Sequence, residues 1–163
     1  MHSIAQKRTL SNITPLKRTF KKMKSFSIPS LFKSNVIGQI KESRRVQDKL
    51  KKDFPIIIAE QNNKVIGFGY YSEFRFREAY KYTVEHSVYV TNEHHGKGIG
   101  HLLLSELISL AKKQKLHTMI AVIDSENQNS VKFHEKYGFK TVGIIKESGF
   151  KFDKWLDSVI MQL

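Results

Sequence analysis

The stretch Val88-Tyr89-Val90-Thr91-Asn92-Glu93-His94-His95-Gly96-Lys97-Gly98-Ile99-Gly100 runs from a strand pattern through a glycine-spaced turn into an apolar-periodic helix. That order is a phosphate-binding design. Gly96, Gly98 and Gly100 let the backbone turn tightly and approach a ligand with no Cβ in the way. The first amides of the helix that follows have no carbonyl one turn back to bond, so they point outward at the positive end of the helix dipole. With His95 and Lys97 beside them they suit a pyrophosphate. The spacing is not G-x-G-x-x-G with an acidic residue ~20 positions on, which disfavours a Rossmann dinucleotide site, and no G-K-[ST] is present for a P-loop. A turn that merely joins strand to helix is the plainer alternative, and its neighbours weigh against it.

At 163 residues and 40% hydrophobic, the chain suits one globular domain over residues 1–163, with a core that needs no disulfide staples. It has no cysteine, which excludes a disulfide framework, a thiolate nucleophile and a cysteine metal site. A cytoplasmic protein is expected. The apolar runs fall far short of the ~18 residues of a membrane span, and the N-terminus lacks the apolar stretch of a signal peptide.

The net charge of +13 points to nucleic acid until it is divided along the chain. Residues 1–52 carry 14 Lys and Arg against two acids, Glu42 and Asp48, whereas residues 53–163 carry 14 against 13. The motif-bearing part is therefore electrically balanced, and no specific nucleic-acid partner is expected: stacking aromatics or a groove-reading helix do not accompany the basic segment.

Residues 1–40 are atypical and basic, with Pro15 and Pro29 as breaks, and disorder is one reading of them. An amphipathic helix is expected from about Glu42 to Lys52. Ile56 to Glu60 reads as a buried strand, a polar turn follows, and Val65 to Tyr71 returns as its antiparallel partner. Glu73 to Tyr82 reads as a loop over one end of the sheet. Thr83 to Val90 is the central strand, with Glu85, Ser87 and Tyr89 on one face and His86, Val88 and Val90 on the other. Leu102, Leu103, Leu104, Leu107, Ile108, Leu110 and Ala111 make the next helix, Thr118 to Ile123 a strand, and Ser130 to Tyr137 a second helix ended by Gly138. Thr141 to Ile145 is a strand, Lys146 to Trp155 a loop, and Ser158 to Leu163 the last strand. This order predicts an α+β or mixed α/β fold, a central mixed sheet flanked by helices.

Set on that order, the G-x-G turn after V-Y-V, the Asn127-x-x-Ser130-x-x-x-His134-x-x-x-Gly138-Phe139 run and the terminal strand resemble the GNAT superfamily of N-acetyltransferases. F-R-F-R-E-A-Y, T-V-E-H-S-V-Y-V, H-E-K-Y-G-F and K-F-D-K-W-L-D-S-V-I-M-Q-L resemble more narrowly its phosphinothricin and methionine sulfoximine acetyltransferases. The likeness covers residues 54–163. Upstream of about Arg44 no counterpart of the family's opening strand and helix is visible, and Phe76, Glu78, Asp153 and Lys154 differ from the usual residues.

The resemblance implies an acetyl-CoA cosubstrate, a small-molecule amine, a homodimer and a site of named residues. A pyrophosphate lies on His95, Gly96, Lys97, Gly98, Ile99, Gly100 and His101, and the pantetheine arm pairs with Val88, Tyr89 and Val90 as an added strand. The Val88 N–H polarises the thioester oxygen. Glu85, a carboxylate near the sheet interior, accepts the ammonium proton directly or through a water, its alternative role being an ion-pair partner of Arg75 or Arg77. His134 stands where related enzymes protonate the departing thiolate, the alternative being a helix-surface histidine bonded to Asn127 or Ser130. Asn127 either caps its helix or bonds the pantetheine. Arg75, Phe76, Arg77, Glu85, His86, Ser87, Lys151 and Trp155 shape the amine pocket, the guanidinium groups suiting carboxylate or phosphinate oxygens.

No metal is expected: His94 and His95 are adjacent on a turn and diverge, and no carboxylate spacing completes a site. Two rival readings stand beside an acetyltransferase of amino acid analogues. One is acetylation of a peptide N-terminus or polyamine; the other is a basic binding protein that holds coenzyme A and catalyses weakly.

Overall fold

The computed structural model describes residues 54–62 and 64–163; the helix expected from about Glu42 and every reading of residues 1–40 lie outside the described residues. Ile56–Gln61 (β1) and Lys64–Glu73 (β2) form the expected antiparallel hairpin, and β2 pairs along its length with Thr83–Val90 (β3). The connection between β2 and β3 holds a single 3-10 turn, Glu78–Tyr80. The chain then runs through helix Ile99–Lys113 (α1), strand Thr118–Asp124 (β4), helix Gln128–Glu135 (α2) and strands Lys140–Lys151 (β5) and Lys154–Gln162 (β6). The six strands form one mixed sheet in the order β1-β2-β3-β4-β6-β5, in which β3 and β4 are parallel and every other pair is antiparallel.

The leucine stripe of α1 explains how it sits. Leu103, Leu104, Leu107 and Ala111 recur at helical spacing and are buried together with Ile57, Ile66, Val84 and Met161. The helix comes close to β2 because Gly67 leaves room. A Cβ there would meet the Tyr89 carbonyl oxygen at 2.9 Å and the Leu103 Cδ1 at 3.2 Å. The opposite face of β2 and β3 carries a stack of Phe68 on Tyr89 at 4.7 Å, with Tyr70 alongside.

One expected element differs. Lys146 to Trp155 is not a loop but the outer half of a hairpin: β5 runs to Lys151, Phe152 and Asp153 turn with φ of 54° and 56°, and β6 starts at Lys154. Successive residues at positive φ form the tight turn that matches the twist of an antiparallel pair. A bulge between Ile145 and Gly149 breaks the alternation, and β5 is exposed on both faces, so no period-two pattern marks it. The arms are held by Lys146 to Asp157 at 2.7 Å and by the Phe150 and Trp155 rings at 5.1 Å.

Candidate active site

The site begins where a ladder stops. β3 and β4 pair through Thr83↔Thr118, Val84↔Met119 and Glu85↔Ile120, and then diverge. The Thr91 N–H donates to the Ile66 carbonyl at 3.0 Å and the Phe74 N–H to the Thr83 carbonyl at 3.2 Å, so odd-numbered residues of β3 spend their backbone groups on β2. Even-numbered ones face β4, as the Tyr82 carbonyl does in accepting the His117 and Thr118 amides. Beyond Glu85 the N–H groups of Val88 and Val90 therefore face an open fork where a neighbouring strand would otherwise lie.

A cavity of about 670 Å³ fills the fork. His86, Ser87, Val88, Tyr89 and Val90 form its β3 wall and Ala121 to Asp124 its β4 wall; Asn127, Ser130, Phe133 and His134 close it from α2, and the glycine turn closes its far end. At that end Gly96 and Gly98 have φ of 72° and 81°, and Gly98 caps α1 with no side chain on its amides. The first helical bond is from the Leu102 N–H to the Gly98 carbonyl at 3.1 Å. The Ile99, Gly100 and His101 amides precede it, and these three residues line the cavity with His95, Gly96 and Gly98. The His95 Nε2–H donates to the Val90 carbonyl at 3.0 Å, which ties the turn to the strand end. His94 instead meets Thr91 Oγ1 at 2.9 Å and Gln61 Oε1 at 3.2 Å. Lys97 is exposed on the turn beside the cavity. Among the described residues no group of His, Asp and Glu could hold a metal ion.

Two buried imidazoles meet in the fork. His134 Nδ1–H donates to the Ser130 carbonyl at 2.7 Å, which leaves the lone pair of the neutral ring on Nε2. Burial pulls its pKa below the ordinary histidine value, with the Ser130 bond opposing. The resting ring is thus a proton acceptor, and it must gain a proton before it can give one. The His86 ring lies 5.1 Å away and is pushed down to about 3, first by burial and then by His134. Asn127 serves as a cap, its Oδ1 accepting the Ser130 N–H at 3.1 Å, and this leaves its amide donors as the end available to the cavity.

The remaining expected residues lie elsewhere. Glu85 is half-buried at the last paired position, on the same face as Ser87 and Tyr89 and just outside the cavity lining. Arg75, Phe76 and Arg77 are exposed on the β2–β3 connection near that end of β3, with the Arg75 guanidinium 5.2 Å from the Phe74 ring. Lys151 and Trp155 are exposed at the tip of the β5–β6 hairpin. The described residues therefore gather the expected cosubstrate set, Lys97 excepted, into one cavity and leave most of the expected amine set on separate surfaces. Sequence reasoning missed the β4 wall and Phe133. Thr118 to Ile123 reads as apolar on both faces, and nothing in that pattern tells where its pairing ends.

A sequence model of the acetyltransferase (GNAT) family matches residues 25–139. The chain belongs to that family. The match extends the likeness upstream of residue 54, into the segment where motifs alone show no counterpart. Within the family the chain is 41% identical over 110 residues to an L-methionine sulfoximine/L-methionine sulfone acetyltransferase of Salmonella typhimurium, covering 68% of this chain and 64% of that protein. The L-amino acid N-acyltransferase MnaT of Escherichia coli gives the same identity and the same coverage. A crystal structure of a GNAT superfamily phosphinothricin acetyltransferase from Sinorhizobium meliloti in complex with AcCoA aligns with a TM-score of 0.69 at 39% identity, over 73% of this chain and 65% of that one. The chain spans less than two thirds of the length of each of these relatives. The six-stranded mixed sheet and the two α-helices among the described residues make a GNAT fold. No helix among the described residues is long and apolar enough to cross a membrane.

Proposed function

We propose that this chain is an acetyl-CoA-dependent N-acetyltransferase that acetylates the amine of a small amino acid analogue of the phosphinothricin or methionine sulfoximine type. The observation that carries the reading is the fork itself: a strand edge with unpaired amides that leads from a helix N-terminus to a pair of buried imidazoles. A pyrophosphate fits the Ile99, Gly100 and His101 amides, with His95, Lys97 and the open backbone of Gly96 and Gly98 around it. The Val88 and Val90 amides pair with the pantetheine arm, and the Asn127 amide adds a donor. The Val88 N–H also polarises the thioester oxygen.

The chemistry is direct transfer. Glu85 takes the ammonium proton, directly or through a water, and the freed amine nitrogen bonds the acetyl carbon. His134 accepts the second amine proton at Nε2 and passes it to sulfur as the carbon–sulfur bond breaks. That order suits a histidine held neutral at rest, and the imidazolium it briefly becomes is a strong acid because burial disfavours it. His86 and Ser87 line the amine end of the cavity, with Arg75, Phe76, Arg77, Lys151 and Trp155 as the recognition groups for an anionic substrate.

A homodimer goes with this reading, since the edge strand β5 leaves Val142, Ile144 and Ile145 more than half exposed. A single domain over the whole chain and a cytoplasmic place of work go with the cosubstrate. Amino acid analogues, a polyamine and a peptide amine should be compared by acetyl-CoA-dependent thiol release. Fastest release with phosphinothricin or methionine sulfoximine is expected. Faster release with the peptide or polyamine would move the substrate class, and none with any amine would overturn the activity.

A further inference from the structure

Among the described residues, His86 is the buried polar side chain whose ring nitrogens both lack a hydrogen-bond partner. Such a group is costly to leave unmade, and its position supplies a reason. His86 is the first residue of β3 beyond the last β3–β4 pair, so it sits at the base of the fork, among the residues that line the same cavity as His134. Phe139 packs beside both rings, at 5.4 Å from His86 and 5.2 Å from His134. The titratable groups facing it are His134 from α2 and its register partner Tyr71 from β2, whose hydroxyl donates instead to Gln114 at 2.8 Å. Burial keeps the ring uncharged. It thus carries one N–H and one lone pair, both covered at the cavity wall, and the ring must turn to present either to the cavity.

What reaches that N–H follows from the cosubstrate reading, on which this inference rests. From Val90, beside the glycine turn, β3 runs back to His86 over about 13 Å at the usual strand rise. An arm held by its phosphates at the turn and paired along Val90 and Val88 delivers its thioester end to the base of the fork. We propose that His86 is a further catalytic residue of the acetyl transfer: its ring N–H donates to the coenzyme A sulfur and holds the departing thiolate. As the amine nitrogen bonds the acetyl carbon, the carbon–sulfur bond breaks and its electron pair goes to sulfur. The His86 proton stays on its nitrogen throughout. The proton that ends on sulfur is the one His134 took from the amine. A neutral donor suits this task because it stabilises the anion without competing with His134 for positive charge.

The test titrates the thiol of bound coenzyme A through thiolate ultraviolet absorbance, in the full-length parent, His86→Phe and His86→Gln, with desulfo-coenzyme A as the sulfur-free control. Desulfo-coenzyme A should bind all three alike. The bound thiol should titrate about one to two pH units higher in His86→Phe than in the parent, the size of a hydrogen bond to a charged group. His86→Gln, which keeps an N–H donor, should fall between. Should Phe prevent folding, His86→Met carries the same expectation. An unchanged thiol midpoint with desulfo-coenzyme A still bound overturns the role of His86 and leaves the acetyltransferase reading standing. A parent that binds neither ligand overturns both.

Discussion

Glu85 stands at the point where the sheet opens, paired with Ile120 on one side and Ser72 on the other, so its backbone is held by two strands before any substrate arrives. A base held that way contributes through position. Glu85→Gln is expected to lower turnover by roughly 10²–10⁴-fold with acetyl-CoA affinity little changed. Equal turnover of variant and parent across neutral pH would remove the assignment. The two buried imidazoles carry a stability signature as well. Both have folded pKa values below the ordinary 6.5, so just below that pH the unfolded chain binds more protons than the folded one. Their contribution is fully present above the unfolded value and is lost as pH falls toward the folded value. For His86, pushed down to about 3, that loss accrues at up to about 1.4 kcal/mol per pH unit. Urea unfolding from about pH 7 to about pH 5 should show a flatter decline in His86→Phe than in the parent, and parallel declines would mean the ring is not held neutral. Strand parity made the face of His86 legible in the sequence. Its meeting with His134, far along the chain on another element, was not.

The glycine turn and α1 were legible because each residue type has one physical use there. At Gly98 an added Cβ meets nothing within 4 Å, so the constraint is the φ of 81° and the space kept for a ligand. Gly98→Val should cost stability through the left-handed backbone and abolish the rise in melting temperature that acetyl-CoA gives the parent, a rise worth about 2.7 kcal/mol at a hundredfold excess over Kd. A folded Gly98→Val protein still stabilised by acetyl-CoA would take the turn out of the site. At the start of α2, Asn127→Asp separates two uses of one side chain. It keeps an oxygen for the Ser130 N–H and loses the amide donors, so unfolding should stay near the parent while acetyl-CoA affinity falls. Unchanged affinity would leave capping as its role. The β5–β6 hairpin was not legible for the opposite reason. A bulge, exposure on both faces and a turn of Phe152 and Asp153 in place of the usual Asn-Gly or Asp-Gly remove each signal by which a hairpin is read.

Across the whole molecule, chain order and the balance of charge were legible, whereas the fork depends on where two parallel strands part, which no residue type marks. Charge has a further consequence. Among the described residues, every one that lines the cavity lies between His86 and His134, inside the part of the chain where 14 basic residues meet 13 acidic ones. The excess belongs to residues 1–52, with 14 basic residues against two acids. Acetyl-CoA is a polyanion, so that segment can speed its approach at low salt, but screening beyond about 8 Å at physiological ionic strength leaves equilibrium affinity to the groups that touch it. A full-length variant with the lysines and arginines of residues 1–52 replaced by glutamine should therefore bind acetyl-CoA within about twofold of the parent at physiological salt. Its association rate should lose most of its salt dependence, and any affinity of the parent for RNA should vanish with the charge. A large loss of acetyl-CoA affinity at physiological salt would place part of the cosubstrate site in the basic segment. RNA binding that persists in the variant would place a nucleic-acid surface in the balanced part of the chain, against the division of charge on which the reading of the cavity relies.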